Sequence, residues 1–227
     1  MQDIITIDGP AGSGKSTVAK ILAKRLGYTY LDTGAMYRAV ALLVKEKGIS
    51  LDDRSALKKI CESIDIRFIQ DEDEQKILLE DRDISKDIRT SEIDLLSSAV
   101  SAIKEVRDAM TALQRKIAQK GKIVAEGRDM GTVVFPNARI KFFLTASFET
   151  RAMRRYTERK DKGEDVSLEK IKEELAKRDA QDQSRSLAPL KPAKDAIIID
   201  TTDMNIEEVV DKMLYFYRQK EVINEKV

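Results

Sequence analysis

The chain has 227 residues, with 41 Lys and Arg against 40 Asp and Glu, no histidine and one cysteine, Cys61. This near-neutral charge provides no basic field for bulk binding to nucleic acid or to a membrane surface. Without histidine and with a single cysteine, the chain cannot build a Ser-His-Asp triad, a His-containing zinc site or an intrachain disulfide, so catalysis must rest on Lys, Arg, carboxylates, hydroxyls, backbone amides or a hard metal ion.

The first predicted elements are a strand, a glycine-rich loop and a helix. Residues 4–7 form a β-branched apolar run that the Gly-Pro pair at 9–10 interrupts, which is typical of a buried strand. Over residues 15–26 the apolar side chains recur at helical spacing, and Gly27 supplies a stop signal. This order predicts the start of a parallel βαβ unit.

The loop itself, residues 9–16, matches the pattern G-x-x-x-x-G-K-[ST] in full. Its glycines let backbone amides approach phosphate oxygens, and the positive end of the following helix points at the same phosphates. We predict that Lys15 contacts the β- and γ-phosphates of a nucleoside triphosphate and that the Ser16 hydroxyl binds Mg²⁺. A dinucleotide-binding loop is excluded, because Thr17 stands where that fingerprint needs its third glycine. The predicted triphosphate-binding residues are Gly9, Pro10, Ala11, Gly12, Ser13, Gly14, Lys15, Ser16 and Thr17.

A second candidate anion site follows an apparent short strand at 28–31. Residues 32–38, Asp-Thr-Gly-Ala-Met-Tyr-Arg, begin a helix, so its amides, a hydroxyl and Arg38 could bind an acceptor phosphate. The alternative for Asp32 or Thr33 is an ordinary helix N-cap.

The middle of the chain departs from the α/β rhythm. Apolar and polar residues alternate over 64–84, around an acidic turn at 71–74, which predicts a β-hairpin or small antiparallel sheet. Further buried strands are predicted at 123–125, 140–144 and 196–199, and a closing helix at 206–218. Helical patterns separate these strands, so the fold class is α/β, with a mostly parallel sheet covered by helices.

The segment 126–132 follows the predicted strand at 123–125, at the sheet edge where open α/β proteins bind ligands. Arg128 in this segment is predicted to bind phosphate. The alternative is a surface ion pair with the adjacent Asp129.

Charged side chains dominate residues 151–185, which predict one or two solvated helices. Three arginines stand at i, i+3 and i+4 spacing: Arg151, Arg154 and Arg155. Because like charges repel at this spacing, a bound anion would explain the cluster, and a solvated face is the alternative.

Three more residues share one helix face: Arg178, Asp182 and Arg185. For these the alternative is an intrahelical salt bridge.

Together these motifs favour a small-molecule phosphotransferase. The chain contains no Asn-Lys-x-Asp sequence to read guanine, which argues against a GTPase. A transferase needs a second anion site and cations that neutralise the migrating phosphoryl group, and the arginines supply candidates. The open alternatives are a kinase of another acceptor, such as UMP or shikimate, a nucleotide-gated binding module, and, least favoured, a nucleic-acid remodeller, for which the scattered aromatics offer no stacking platform.

The chain resembles the bacterial cytidylate kinases, the CMP/dCMP kinase branch of the nucleoside monophosphate (NMP) kinases. The motifs that carry the resemblance are Gly-Pro-Ala-Gly-Ser-Gly-Lys-Ser-Thr at 9–17, Asp-Thr-Gly-Ala-Met-Tyr-Arg at 32–38, Glu-Gly-Arg-Asp-Met-Gly-Thr-Val-Val-Phe-Pro at 126–136, Arg-Ala-Met-Arg-Arg at 151–155, Arg-Asp-Ala-Gln-Asp-Gln-Ser-Arg at 178–185 and Ala-Pro-Leu at 188–190. It implies a P-loop NTPase fold: a parallel five-stranded sheet flanked by helices, an inserted small antiparallel β element and a helical lid. It implies one domain over 1–227, divided as follows: core at 1–31, 108–150 and 186–227, NMP-binding part at about 32–107 with an insert at about 63–85, and lid at about 151–162.

The resemblance also implies ATP as phosphoryl donor, Mg²⁺ as metal, and CMP and dCMP as acceptors, in pyrimidine nucleotide metabolism. The residues implied to be catalytic are Lys15, Arg128, Arg151, Arg155 and Arg178, with Arg154 binding ATP. The residues implied to bind the acceptor are Thr33, Tyr37, Arg38, Ser98, Arg107, Arg128, Asp129, Arg178, Asp182 and Arg185. Among them Ser98, Arg107 and Asp182 would read the base. The chemistry of Asp182 supports this role, because a carboxylate accepts a hydrogen bond from the N4 amino group of cytosine and disfavours the oxygen that uracil presents there.

No targeting signal and no apolar run of 18 residues is found in the sequence. We therefore expect a cytoplasmic protein whose partners are the small molecules ATP and CMP or dCMP, with no nucleic acid and no membrane. A monomer is the expectation that the family resemblance implies.

Overall fold

The computed structural model describes residues 3–71 and 74–224. Over these residues the strands are β1 (Ile4–Asp8), β2 (Thr29–Asp32), β3 (Ile66–Asp71), β4 (Glu74–Leu79), β5 (Arg82–Asp83), β6 (Ile123–Gly127), β7 (Ile140–Thr145) and β8 (Ile197–Asp200). The α-helices are α1 (Lys15–Leu26), α2 (Thr33–Glu46), α3 (Arg54–Ser63), α4 (Ser91–Val100), α5 (Lys104–Ile117), α6 (Phe148–Asp161), α7 (Leu168–Ser184) and α8 (Ile206–Asn224). Two 3₁₀ turns and one π-helix complete the secondary structure: Asp87–Arg89, Ala118–Lys120 and Met130–Val134. No helix among the described residues combines the length and apolar character needed to cross a membrane.

The chain divides into two compact units, of which the first comprises Met1–Leu31 and Ala118–Val227. This unit is built on a five-stranded sheet in the order β2-β6-β1-β7-β8. Strand β1 pairs in parallel with both β6 and β7, and β7 pairs in parallel with β8. The prediction of an α/β fold with a parallel five-stranded sheet flanked by helices is therefore confirmed.

The apolar core of this unit lies between the sheet and the helices α1 and α8. Ile5 and Ile7 of β1 and Phe142 of β7 are almost completely buried. They pack in one cluster with Leu22 of α1 and Met213 of α8. The packing of these helices against the central strands keeps the strands in place. It therefore also holds the carboxyl end of β1, and the loop that follows it, in a defined position.

The last strand differs from its prediction. Residues 196–199 predict a buried strand, whereas β8 begins at Ile197 and leaves 59% of Ile198 exposed. The reason is that β8 lies at the edge of the sheet, next to β7 alone in the strand order. An apolar run predicts a strand, but it does not distinguish an edge position from a central one.

The second unit, Asp32–Ile117, is mainly helical. Helix α2 packs against α4, and α3 packs against α5. Strands β3, β4 and β5 form the small antiparallel sheet that the alternation predicts. Two residues of the predicted acidic turn, Glu72 and Asp73, lie outside the described residues. Helix α5 lies wholly in this unit, whereas the core segment implied by the resemblance begins at residue 108, inside that helix.

Helix α5 contains a buried polar side chain whose replacement we expect to stabilise the protein. Gln114 is fully buried, and neither atom of its amide has a hydrogen-bond partner among the described residues. Because an unpaired buried polar group costs about 1–3 kcal/mol, Gln114→Met, which keeps the side-chain length, should raise the free energy of unfolding by about 1–2 kcal/mol.

Urea denaturation measures this change, and Gln119→Met at an exposed position is the matched control, with an expected change within about 0.5 kcal/mol. A fall in stability for Gln114→Met would contradict the prediction, since it would mean that the amide has satisfied hydrogen bonds.

Candidate active site

The glycine-rich loop joins the end of β1 to the start of α1. At Gly12 the backbone has φ +76°, and an added Cβ would lie 2.8 Å from the carbonyl oxygen of Arg151, so this position requires glycine. Gly14 is the N-cap of α1, in the left-handed conformation, and as a glycine it has no side chain that could cap the helix. Because the first amides of a helix lack intrahelical acceptors, this helix start suits the oxygens of a phosphate group.

Lys15 is the first residue of α1, and it is buried. Its Nζ donates a hydrogen bond to the carbonyl oxygen of Pro10 at 3.0 Å. Burial and then the positive charge of Arg128 lower the pKa of Lys15 to about 7, although the negative charge of Glu126 opposes them. An anion bound beside Lys15 would favour its charged form and raise this pKa.

We therefore expect ATP binding to be coupled to proton uptake by Lys15. Above pH 7 the free protein holds Lys15 largely neutral, and a bound triphosphate would restore its charge. Calorimetric titration with ATP at pH 8, in two buffers of different ionisation enthalpy, should show uptake of up to about one proton per ATP. At pH 6 the uptake should be much smaller.

The control for this measurement is Lys15→Met, which should show no such uptake at pH 8. Equal proton uptake by the wild type and the variant would contradict the assignment of the titrating group to Lys15.

Asp182 of α7 binds two arginines of the first unit, and the charge of a third, Arg178, also acts on it. Its Oδ2 accepts a hydrogen bond from Nε of Arg128 at 2.7 Å, and its Oδ1 accepts from Arg185. Burial raises the pKa of Asp182, but the charges of Arg128, Arg185 and Arg178 outweigh burial and hold this pKa below its ordinary value. Asp182 is only 1% exposed, and its own carbonyl oxygen accepts from the backbone amide of Leu190 at 2.9 Å. The carboxylate thus stays ionised and holds the guanidinium groups of Arg128 and Arg185.

This arrangement bears on the ion-pair alternatives stated for Arg128 and for the helix face with Asp182. For Arg128 the alternative was an ion pair with the adjacent Asp129, and the structure shows an ion pair with Asp182, which is distant in sequence. The salt bridge between Asp182 and Arg185 is present, with Arg185 directly after the end of α7. An internal ion pair and an anion-binding role are therefore compatible here, because the group contains more arginines than carboxylates.

Two arginines of α6 hold loops near the glycine-rich segment. Arg151 is buried, donates to the carbonyl oxygen of Ala11 at 3.2 Å and forms an ion pair with Asp179 at 2.7 Å. Arg154 donates to the carbonyl oxygen of Thr201 at 2.6 Å and to its hydroxyl at 3.0 Å. The solvated-face alternative is wrong for these two side chains, because both have specific protein acceptors.

Arg155, the third arginine of the predicted cluster, has different partners from Arg151 and Arg154. It pairs with Glu158 at 2.9 Å, and Glu158 also accepts from Lys162 at 2.8 Å. The like charges of the predicted cluster are therefore tolerated because each arginine has its own oxygen acceptors, which lowers the repulsion expected from helical spacing alone.

In the second unit, Asp32 caps α2 and binds two arginines. Its Oδ1 accepts from the backbone amide of Ala35 at 2.8 Å, which confirms the N-cap alternative for this residue. Its Oδ2 accepts from Arg38 at 3.2 Å and from Arg89 at 3.3 Å. The motif at 32–38 is thus held by its own N-cap carboxylate, which also fixes the guanidinium of Arg38.

The other acceptor-binding candidates of this unit are largely buried. Thr33, Tyr37, Ser98 and Arg107 expose between 2% and 7% of their surfaces. The guanidinium of Arg107 lies over the ring of Tyr37, 5.7 Å from its centroid, and donates to the carbonyl oxygen of Ser101 at 3.0 Å. The structure therefore brings Tyr37 and Arg107 together within this unit.

Several residues of these arrangements were not predicted from the sequence. They are Asp8, Arg89, Asp179 and Thr201. Asp8 alone carries a local signal, because a carboxylate that ends a buried strand directly before a phosphate loop is costly to bury. The other three depend on long-range contacts, for which the sequence gives no local signal.

The sequence profile of the family described as "Cytidylate kinase" matches residues 5–219. The chain is 54% identical to the "Cytidylate kinase" of Carboxydothermus hydrogenoformans over 95% of this chain and 97% of that protein. It is 50% identical to the "Cytidylate kinase" of Geobacter sp. strain M21, over 92% of this chain and 90% of that protein. Among solved structures, an uncharacterized protein from Eubacterium ventriosum is similar in fold, with a TM-score of 0.52 and 16% identity over 96% of this chain and 99% of that one.

Proposed function

Because the chain belongs to the cytidylate kinase family, we propose that it transfers the γ-phosphoryl group of ATP to the 5′-phosphate of CMP and dCMP, which gives CDP and dCDP. The observation that carries this proposal is the joint presence of a phosphate loop and of the arginine group around Asp182 in the same unit. A kinase needs both, since the loop binds the donor and the cations compensate charge on the migrating group.

The reaction needs no general base. The 5′-phosphate of the acceptor already carries anionic oxygens at neutral pH, so one of these can attack the γ-phosphorus of ATP directly, with ADP as the leaving group. The absence of histidine from the chain is consistent with this chemistry. What the protein supplies is orientation of the two phosphates and compensation of their charge.

Lys15, Arg128 and Arg178 are the proposed charge-compensating residues of the first unit. Arg128 and Arg178 both lie close enough to Lys15 to lower its pKa, whereas Glu126 and Asp182 raise it, so the three basic side chains lie in one neighbourhood and disfavour one another's charge. Such mutual repulsion makes the group a favourable partner for the phosphoryl oxygens, and a bound phosphate would relieve it. Arg151 remains a proposed catalytic residue on the family resemblance, and it also holds the loop through the carbonyl oxygen of Ala11. Arg155 remains a proposed catalytic residue on the family resemblance.

The donor set of the loop also fits Mg²⁺. Ser16 is exposed in the first turn of α1, next to Lys15, and offers the hard oxygen ligand that Mg²⁺ accepts. This ion usually keeps several waters and binds through one or two protein oxygens together with substrate phosphates. We propose that Ser16 holds it with the ATP phosphates, where it would neutralise charge on the β- and γ-oxygens.

We propose that Asp182 contributes to base selection. Each carboxylate oxygen has two lone pairs, so oxygens already bonded to Arg128 and Arg185 can still accept from the N4 amino group of cytosine. In the second unit, Thr33, Tyr37, Arg38, Ser98 and Arg107 are proposed acceptor-binding residues on the family resemblance. Asp129 and Arg185 of the first unit are proposed for the same role, and Arg154, held by Thr201, for ATP.

The expected setting follows from these substrates. We propose a monomer that acts in the cytoplasm, where ATP and CMP are available, as one domain with an NMP-binding part at about 32–107 and a lid at about 151–162. Light scattering on the purified protein tests the oligomeric state, and a mass near 25.7 kDa is expected.

An acceptor panel tests the proposed activity. ADP formation is measured in a coupled assay with ATP, Mg²⁺ and, in turn, CMP, dCMP, UMP, AMP and shikimate. We expect kcat/KM for CMP and dCMP to exceed that for UMP by about 100-fold or more, because UMP would leave polar groups of a base-reading site unpaired. Rapid use of UMP or shikimate with poor use of CMP would contradict the proposed acceptor. ATP binding without any acceptor-dependent ADP formation would instead indicate a binding module.

A further inference from the structure

Asp8, the last residue of β1, is buried directly before the phosphate loop, but its carboxylate points to a different segment. Its Oδ1 accepts a hydrogen bond from the backbone amide of Met130 at 2.8 Å, and its Oδ2 accepts from that of Gly131 at 2.8 Å. Both amides open the π-helix Met130–Val134. One carboxylate thus holds two successive amides of a segment more than 120 residues away in sequence.

These two amides need an acceptor from elsewhere in the fold. The first amides of a helical segment have no partner within it, and a side-chain oxygen at the N-cap usually accepts from them. The N-cap here is Asp129, and it makes no side-chain capping hydrogen bond. Asp8 therefore acts as the cap from the neighbouring strand, and it fixes the segment that contains Arg128 and Asp129.

The contact is closely fitted as well as hydrogen-bonded. A Cβ added at Gly131 would lie 3.0 Å from Oγ1 of Thr6, 3.1 Å from Cδ of Lys141 and 3.4 Å from Oδ2 of Asp8. A side chain at this position would therefore require Thr6 or Lys141 to shift by a few tenths of an ångström. The loop has consequently little freedom to shift away from β1.

A carboxylate in this position is costly to maintain. Burial raises the pKa of Asp8 to about 7; the amides of Gly131 and Met130 and the charge of Arg128 lower it, and the charge of Asp129 raises it. The side chain of Lys141 on β7 also approaches Gly131, with its Nζ bound to Asp195. Asparagine would avoid the burial of charge, but it has one acceptor oxygen and would direct an NH₂ group at the second amide.

We propose that Asp8 is a positioning residue for phosphoryl transfer, which holds the backbone at Met130 and Gly131 so that Arg128 keeps its place near Lys15. This inference rests on the proposed function, since it concerns the alignment of a cation with the migrating group. Asp8 itself touches neither nucleotide in this scheme. Its effect on the reaction passes through the two amides.

The test uses Asp8→Asn, which keeps the size of the side chain, and Thr6→Val as its matched control. Thr6 is also on β1 beside Gly131, and its hydroxyl has no hydrogen-bond partner among the described residues, so valine retains its shape and loses no bond. For Asp8→Asn we expect kcat with CMP to fall by about 10- to 100-fold, since small misplacements of catalytic groups have effects of this size. The Kd for ATP should stay within about threefold of the wild-type value. Thr6→Val should resemble the wild type in both quantities.

Two readouts separate positioning from a general structural role. Amide hydrogen exchange should show faster exchange at Met130 and Gly131 in Asp8→Asn, with the protection of β1 and β7 retained. In the wild type, kcat should fall as the pH drops below about 7, because Asp8 becomes protonated and no longer accepts from both amides. In Asp8→Asn, kcat should fall only near pH 6, where the CMP phosphate becomes protonated. Gly131→Ala provides a second variant, which displaces the loop without removing the carboxylate, and it should reproduce the loss of kcat.

The outcomes are distinguishable. Unchanged kcat and unchanged exchange in Asp8→Asn would overturn the inference, and so would a loss of protection throughout the sheet with an equal loss of ATP binding. A wild-type protein that transfers no phosphate to CMP would refute the proposed function instead. In that case the exchange of the two amides in Asp8→Asn still reports whether the carboxylate holds the loop.

Discussion

Lys15→Met is expected to lower kcat with CMP by about 10²–10³-fold, because it removes a preorganised positive charge from the phosphate loop. The KM for CMP should change little, since the lysine is assigned to the β- and γ-phosphates of the donor. Binding of ATP should weaken as well, and the proton uptake at pH 8 should disappear. Steady-state kinetics over both substrates measures these effects.

The fold should survive this substitution. Burial lowers the pKa of Lys15, which means that its surroundings disfavour the charged form, and an unbranched apolar side chain of similar length fits such a position. The substitution also removes the hydrogen bond from Nζ to the carbonyl oxygen of Pro10, so we expect the free energy of unfolding to fall by no more than about 1 kcal/mol. Lys24→Met, at an exposed position on the same helix, is the control and should keep wild-type kinetics. Near-normal turnover in Lys15→Met would refute the assigned role.

Arg128→Ala is expected to lower kcat/KM for CMP by about 10³-fold, comparable to the removal of an arginine that stabilises charge in phosphoryl transfer. This variant also removes the hydrogen bond between Nε of Arg128 and Oδ2 of Asp182. The free energy of unfolding should fall by about 1–3 kcal/mol, because a buried carboxylate loses one of its partners. Arg185 still binds its other oxygen, so the protein should remain folded.

Two further variants make this result specific. Arg128→Lys keeps the charge but not the planar donor geometry, and should recover only part of the activity. Arg218→Ala, at an exposed position on α8, should leave the kinetics unchanged. If Arg128→Ala reduced activity no more than Arg218→Ala, Arg128 could not be the cation that compensates the migrating group.

The local parts of the fold were predictable, because their signals are local. The predicted helix at 15–26 coincides with α1, since helical periodicity, the glycine at its start and Gly27 at its end all lie within a few residues of each other. The alternation over 64–84 likewise predicts the antiparallel sheet. The burial of β8 was predicted only in part, since Ile199 is buried and Ile198 is exposed, because the place of a strand in the sheet is a property of the whole chain.

The candidate site shows the same division. The phosphate loop is a contiguous motif, and the resemblance indicates the remaining candidate residues by position. The acceptors that hold the arginines come from distant segments: Asp182 for Arg128, Asp179 for Arg151 and Thr201 for Arg154. Spacing along a helix predicts which charges are neighbours, but not which oxygen reaches each of them after folding.

The near-equal totals of acidic and basic residues conceal an uneven distribution of arginine. Of the 17 arginines, 10 lie between Arg107 and Arg185. Three of them surround Asp182, and three more belong to α6 before Arg159. A neutral chain can therefore contain a cationic region, and a net charge near zero does not argue against an anionic substrate.

Transfer of labelled phosphate tests the central claim most directly. The protein is incubated with ATP labelled in its γ-phosphate, Mg²⁺ and CMP, and the products are separated by chromatography. We predict that the label appears in CDP, in an amount equal to the ADP formed, and that Lys15→Met nearly abolishes this transfer. Label found only in ATP or inorganic phosphate, with CMP unchanged, would contradict the account.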